Sequence, residues 1–103
     1  MIRLTIMYPD AEDAFFDMDY YTNKHIVMVK EACGDAIKEC SVEQGLGGGA
    51  PGSPAPYRVI SRLCVDSMDD FLKYVAPNDP IFAADVPNFT NIKPVIQINE
   101  VIL

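Results

Sequence analysis

The spacing of apolar residues changes along this chain, and that change limits the available folds more than any other feature. Ile2, Leu4, Ile6 and Tyr8 occupy alternate positions around Arg3, Thr5 and Met7, and Pro9-Asp10 follows. A period of two is that of a strand. From about Ala14 to Ala32 the spacing becomes helical: Phe15, Met18, Tyr21 or Thr22, His25, Val29 and Cys33 recur at steps of three and four, which places them on one face. Asp17 and Asp19 stand near the start of that segment and Gly34 follows its end, as N-terminal carboxylates and a C-terminal glycine do on helices.

Alternation returns from Ile37 to Gln44, with Cys40 and Val42 opposed to Glu39, Ser41 and Glu43. The next stretch, Gly45 to Pro56, holds five glycines and the prolines Pro51, Pro54 and Pro56, so it is a long loop. Tyr57 to Val65 is rich in β-branched and aromatic residues and reads as a strand. Ser67-Met68-Asp69-Asp70 is a helix-capping signature, and the helix is expected to run through Phe71, Leu72 and Val75 to Pro77. Ile81 to Ala84 reads as a helical turn, and Pro94 to Leu103 alternates again as a final strand.

The order β-α-β-β-α-β predicts an α+β chain of the ferredoxin-like type, a four-stranded antiparallel sheet with two helices on one face. Ile96, Ile98 and Ile102 on one side of the last strand, against Val95 and Val101 on the other, predict that the second sheet face is also buried. A second copy of the chain is the simplest cover, so a symmetric homodimer is expected.

Charge and residue counts exclude several functions. Fifteen acidic residues against eight basic ones give a net charge of −7 without any Lys/Arg cluster, which disfavours nucleic acid and anionic membrane surfaces as partners. No apolar run approaches the ~20 residues of a spanning helix, and the first residues lack the apolar stretch of a signal peptide. A cytoplasmic protein is therefore expected. Cys33, Cys40 and Cys64 form no C-x-x-C pair, which fits reduced, buried thiols. They and the single histidine, His25, lack the close ligand pairing of a zinc site, so no metal is expected. The Gly-rich loop has neither the Lys-Ser/Thr of a P-loop nor a G-x-G-x-x-G register, and no cofactor is expected.

Several motifs lie in one order: Tyr8-Pro9, FDMDYYTNKH from Phe16 to His25, the Gly/Pro loop, DSMDDF from Asp66 to Phe71, and DVPNFTNIKPVIQI from Asp85 to Ile98. Together they resemble the ethyl tert-butyl ether degradation (EthD-like) family of the dimeric α/β-barrel superfamily, over nearly the whole chain. The resemblance implies a ferredoxin-like protomer pairing into a barrel. Relatives in that wider group include cofactor-free monooxygenases, isomerases, cyclases, dehydratases and heme-handling enzymes. Asn91 stands where the family often has an acid, and Asp13 where it often has glycine.

His25 lies four residues after Tyr21 on the same helical face. One reading makes it a general acid or base with Tyr21 as hydrogen-bond partner; the other makes it a partly buried structural histidine. Tyr20, displaced by about 100°, is expected to project elsewhere. Tyr8 and Phe89 are the candidate ligand contacts, although Asn88 and Thr90 beside Phe89 are also ordinary turn formers. Phe15, Phe16, Phe71 and Phe82 read as core. The Gly/Pro loop reads as a lid or as a dimer contact. The expected function is a cofactor-independent lyase, isomerase or oxygenase acting on a small hydrophobic or aromatic oxygen-bearing compound. The alternatives are a carrier of such a compound, accessory to an oxygenase, and a dimer that serves only as a scaffold.

Overall fold

A computed structural model describes residues 1–103. Strand β1 (Ile2–Pro9) is central, with β3 (Tyr57–Val65) on one side and β4 (Val95–Glu100) on the other, and β2 (Glu39–Gln44) lies outside β3. All three pairings are antiparallel. This is the ferredoxin-like sheet order, as the sequence predicts.

Helix α1 is built of three joined segments, Met18–Tyr20, a π turn over Tyr21–His25, and Ile26–Cys33. Its ends are set locally. The Asp17 side chain accepts the Tyr20 amide at 3.0 Å, and Gly34 takes φ +59° just past the last turn, a conformation that L side chains avoid. Helix α2 runs over Met68–Asp70 and a second π turn, Phe71–Val75; its cap is Ser67, which accepts the Asp70 amide. A short turn containing Pro77 leads into α3 (Asp79–Asp85).

Several boundaries depart from the sequence reading. α1 begins at Met18 because the residues before it are tied to a distant segment. Phe16 pairs with Thr90, Asp17 N–H donates to the Phe89 carbonyl at 2.7 Å, and the Asn91 side chain accepts from Phe15 N–H and donates to the Asp13 carbonyl. An acid at position 91 could not make that last donation. Phe15 is consequently half exposed, not core. β4 stops at Glu100, which pairs with Ile2; Val101 N–H still reaches Met1, and Ile102 and Leu103 are exposed beyond the end of β1.

The register assigns each strand residue to a face. Leu4, Ile6 and Tyr8, with Val59, Ser61, Leu63, Ile96 and Ile98 across from them, face the helices. The opposite face is not apolar throughout: Met7, Ile60 and Val95 share it with Arg3, Thr5, Arg62, Gln97 and Asn99. There the arginines lie over buried groups. Arg3 Nε contacts Cys64 Sγ at 3.3 Å, and Arg3 and Arg62 pair with Glu39 and Glu43, so their stems screen Thr5 and Cys64 while the charges stay wet.

Two clusters fill the space under the helices. Tyr8, Tyr21, Ile26, Val59, Phe89 and Ile92 form one, and Val29, Cys33, Leu63, Val65 and Val75 the other. Each fully buried large side chain stabilises the fold by about 1.5–3 kcal/mol. Ile96 and Ile98 face the helices yet remain half exposed, because none of the three helices packs closely on edge strand β4.

Candidate active site

At the junction of α1 and α3, three side chains converge on one carboxylate. Asp85, the last residue of α3, accepts from Tyr20 Oη at 2.8 Å and from Asn88 Nδ2 at 2.9 Å through Oδ1. Its Oδ2 lies 2.8 Å from His25 Nδ1. The His25 side chain is 7% exposed and that of Asp85 15%, so this pair is shielded from bulk water.

The π turn explains how Tyr20 takes part. Five residues along an α-helix rotate a side chain by about 140°, which would turn Tyr20 away from His25. From Tyr21 to His25 the chain is wound wider, and Ile26 N–H bonds to the carbonyl of Tyr21, five residues back. Residues five apart are then brought towards one side. Tyr20 and His25 therefore reach the same carboxylate, contrary to the expectation that Tyr20 projects elsewhere.

Aromatic rings hold the imidazole from behind. Tyr21 stacks on His25 with centroids 5.3 Å apart and planes at 14°, and Phe89 packs at 4.7 Å. The Tyr21 hydroxyl does not bond to His25; it pairs with Ser61 Oγ at 2.7 Å, where both residues are buried. Asp85 therefore fills the hydrogen-bonding role expected of Tyr21.

In front of His25 lies a cavity of about 740 Å³ between the sheet and the helices, bounded by Leu4, Ile6, Tyr8, Tyr21 and His25 at its inner end and by β4 at its outer side. Sixteen of its 23 lining residues are hydrophobic, so it suits a small, largely apolar molecule. Asp79 and Lys93 are the charged residues on its wall. His25 Nδ1 is engaged by Asp85, and Nε2 makes no hydrogen bond within the protein. In the neutral ring with Nδ1–H donated to the carboxylate, Nε2 is the proton acceptor.

Electrostatics fit that assignment. Burial pushes the Asp85 carboxyl up, but hydrogen bonds from Asn88, His25 and Tyr20 outweigh it and hold the group below its ordinary value, so Asp85 is ionised at neutral pH. The Asp85 hydrogen bond raises the Tyr20 phenol. Burial raises those of Tyr21 and Tyr8, so all three remain donors.

Of the candidate ligand contacts, Tyr8 lies on the cavity wall. Phe89 does not; it is fully buried behind the imidazole, because Phe89 closes the ring of aromatic contacts with Tyr8, Phe16 and Tyr21. Asp85 and Asn88 are the site residues that the sequence does not single out: Asn88 reads as a turn former and Asp85 carries no assigned role. Their spacing of three is a local signal, but only the packing of α3 on α1 brings them to His25. No cluster of three or more His, Cys, Asp or Glu side chains suited to a metal is present, and no helix is long and apolar enough to cross a membrane.

A family model described as the EthD domain matches residues 8–93. Among solved structures, an EthD-like protein from Ralstonia eutropha is 36% identical, with a TM-score of 0.90 over 99% of this chain and 92% of that one. An EthD family protein from Bacillus halodurans superposes with a TM-score of 0.73 at 15% identity, covering 99% of both chains. A dimeric ferredoxin-like protein of unknown function from Thermobifida fusca gives 0.59 at 16% identity, over 97% of this chain and 90% of that one. No curated protein matches the sequence.

Proposed function

This chain belongs to the EthD family, and from that premise we propose that it is an enzyme acting on a small, apolar, oxygen-bearing compound by proton transfer, with His25 as general base. The observation that carries this reading is the 2.8 Å pair between Asp85 Oδ2 and Nδ1 of His25, whose ring lies on the wall of a largely apolar cavity. A shielded carboxylate beside one imidazole nitrogen stabilises the imidazolium formed when the other takes a proton. The substrate supplies a C–H or O–H proton to Nε2, which returns it to the product. That proton shuttle needs no cofactor. Tyr8 and Tyr21 form the wall near the imidazole, and the apolar lining excludes water from the transfer.

The Ile96 and Ile98 side chains over β4 and the exposed Ile102 and Leu103 support a homodimer as the working form, since a second copy would remove this apolar surface from water. Light scattering is expected to give twice the chain's 11.4 kDa; the mass of a single chain at micromolar concentration would refute it.

A thermal-shift screen of phenols, quinones, lactones and ethers against wild type and His25→Ala tests the proposed function. A ligand at 100 times its Kd stabilises the native state by about 2.7 kcal/mol. The expected result is a shift in wild type that His25→Ala diminishes, with turnover of that compound lost in the variant. A ligand that shifts both proteins equally would place it away from His25 and refute the assignment. Binding that depends on His25 without any turnover would make the protein a carrier.

A further inference from the structure

We propose that Tyr20 and Asn88 are positioning residues that lock His25 as its Nδ1–H tautomer by clamping Asp85. The inference rests on the reading of His25 as a base and adds the device that keeps it one. Oδ1 of Asp85 takes both clamp donors, Tyr20 Oη at 2.8 Å and Asn88 Nδ2 at 2.9 Å. A carboxylate with one oxygen tied twice cannot rotate freely, so Oδ2 is aimed at Nδ1. A second-layer hydrogen bond of this kind fixes both the tautomer and the orientation of an imidazole.

The clamp is assembled from two sides. Asn88 comes from the turn three residues after Asp85, and Tyr20 comes across from α1. Tyr20 reaches it because of the Tyr21–His25 π turn, an irregularity that recurs at functional sites. A straight α-helix would have kept the imidazole and lost the clamp. The Tyr20 ring also lies parallel to Phe89, at 25° and 6.3 Å, and Lys24 Nζ sits 5.5 Å over it. Tyr20→Phe therefore removes the donor while retaining the ring.

His25 is the only histidine in the chain, so ¹⁵N spectra of histidine-labelled protein report this site alone. The wild type is expected to show a protonated Nδ1 and an unprotonated Nε2 in the neutral ring. In Tyr20→Phe the Nε2–H form becomes detectable and the Nδ1–H proton exchanges faster with water. Tyr20→Phe/Asn88→Ala shows a larger change, approaching that of Asp85→Asn. Circular dichroism on each variant confirms a folded chain. Wild-type spectra in the double variant, alongside loss in Asp85→Asn, would overturn the clamp and leave the base reading intact. An Nε2–H tautomer in the wild type itself would overturn both. A clamp that behaves as expected, in a protein whose ligand ignores His25→Ala, would stand while the base reading fell.

Discussion

Tyr21→Phe removes one oxygen atom, and the structure gives its consequence a size. The Tyr21 hydroxyl and Ser61 Oγ are 2.7 Å apart, and the two residues are 0% and 1% exposed. Water cannot replace the missing partner, and Ser61 has no other side-chain hydrogen bond. A buried hydroxyl left without a partner costs about 1–3 kcal/mol. For a domain of this length each kcal/mol lowers Tm by roughly 4–8 °C, so a loss of about 2 kcal/mol lowers it by roughly 8–16 °C. Ser61→Ala takes this partner from the phenol, which still has the Tyr8 hydroxyl in reach, and should cost no more than Tyr21→Phe. Tyr21→Phe/Ser61→Ala leaves neither group stranded, so it should cost less than the sum of the single changes by about 1–2 kcal/mol. Urea unfolding at one fixed protein concentration measures this as a shift in midpoint with unchanged slope. Because the ring stacked on His25 is retained, ligand shifts in Tyr21→Phe should survive after allowance for the lower baseline. A single-variant cost below about 0.5 kcal/mol, or strict additivity in the double variant, would refute the reasoning that Tyr21 is held by Ser61 in a dry core.

Three further outcomes follow from the geometry. Asp85 has a depressed pKa in the folded chain, so its stabilisation is present above the unfolded carboxylate value and is lost as pH falls through the folded one; Asp85→Asn should narrow its deficit against wild type only in that acid range, and a constant deficit in pH-dependent urea unfolding would contradict this. Gly34→Ala places a side chain at φ +59° and should cost about 1–3 kcal/mol, read as a lower midpoint, whereas an unchanged one would show that α1 need not end there. Asp17→Ala removes the cap that accepts the Tyr20 amide and should cost about 1 kcal/mol, with faster amide exchange in the first turn of α1 as the local check.

Much of the architecture was legible because it is written in local patterns. Alternation at Ile2–Tyr8, the β-branched and aromatic run at Tyr57–Val65, the Asp17 and Ser67 caps and Gly34 depend on neighbours a few residues away. They give the βαββαβ order, and that order gives the sheet. His25 was legible as a candidate for a simpler reason, that it is the only histidine. The π turns were not legible, since the same residues at the same spacing fit an ordinary helix. That missed irregularity misdirected Tyr20, and with it the partner of the imidazole.

The sequence by itself determined the elements, their order, and the residue types available for proton chemistry, because periodicity, capping and composition act over short range. Only the tertiary structure decided which groups meet. Asp85 is 60 residues from His25 and Ser61 is 40 from Tyr21, and such pairings depend on how α3 and β3 pack against α1. It also decided that Phe89 supports the imidazole from behind while Tyr8 lines the cavity. A side chain's period places it on a face; the layer packed over that face determines whether it meets a ligand, a carboxylate or the core.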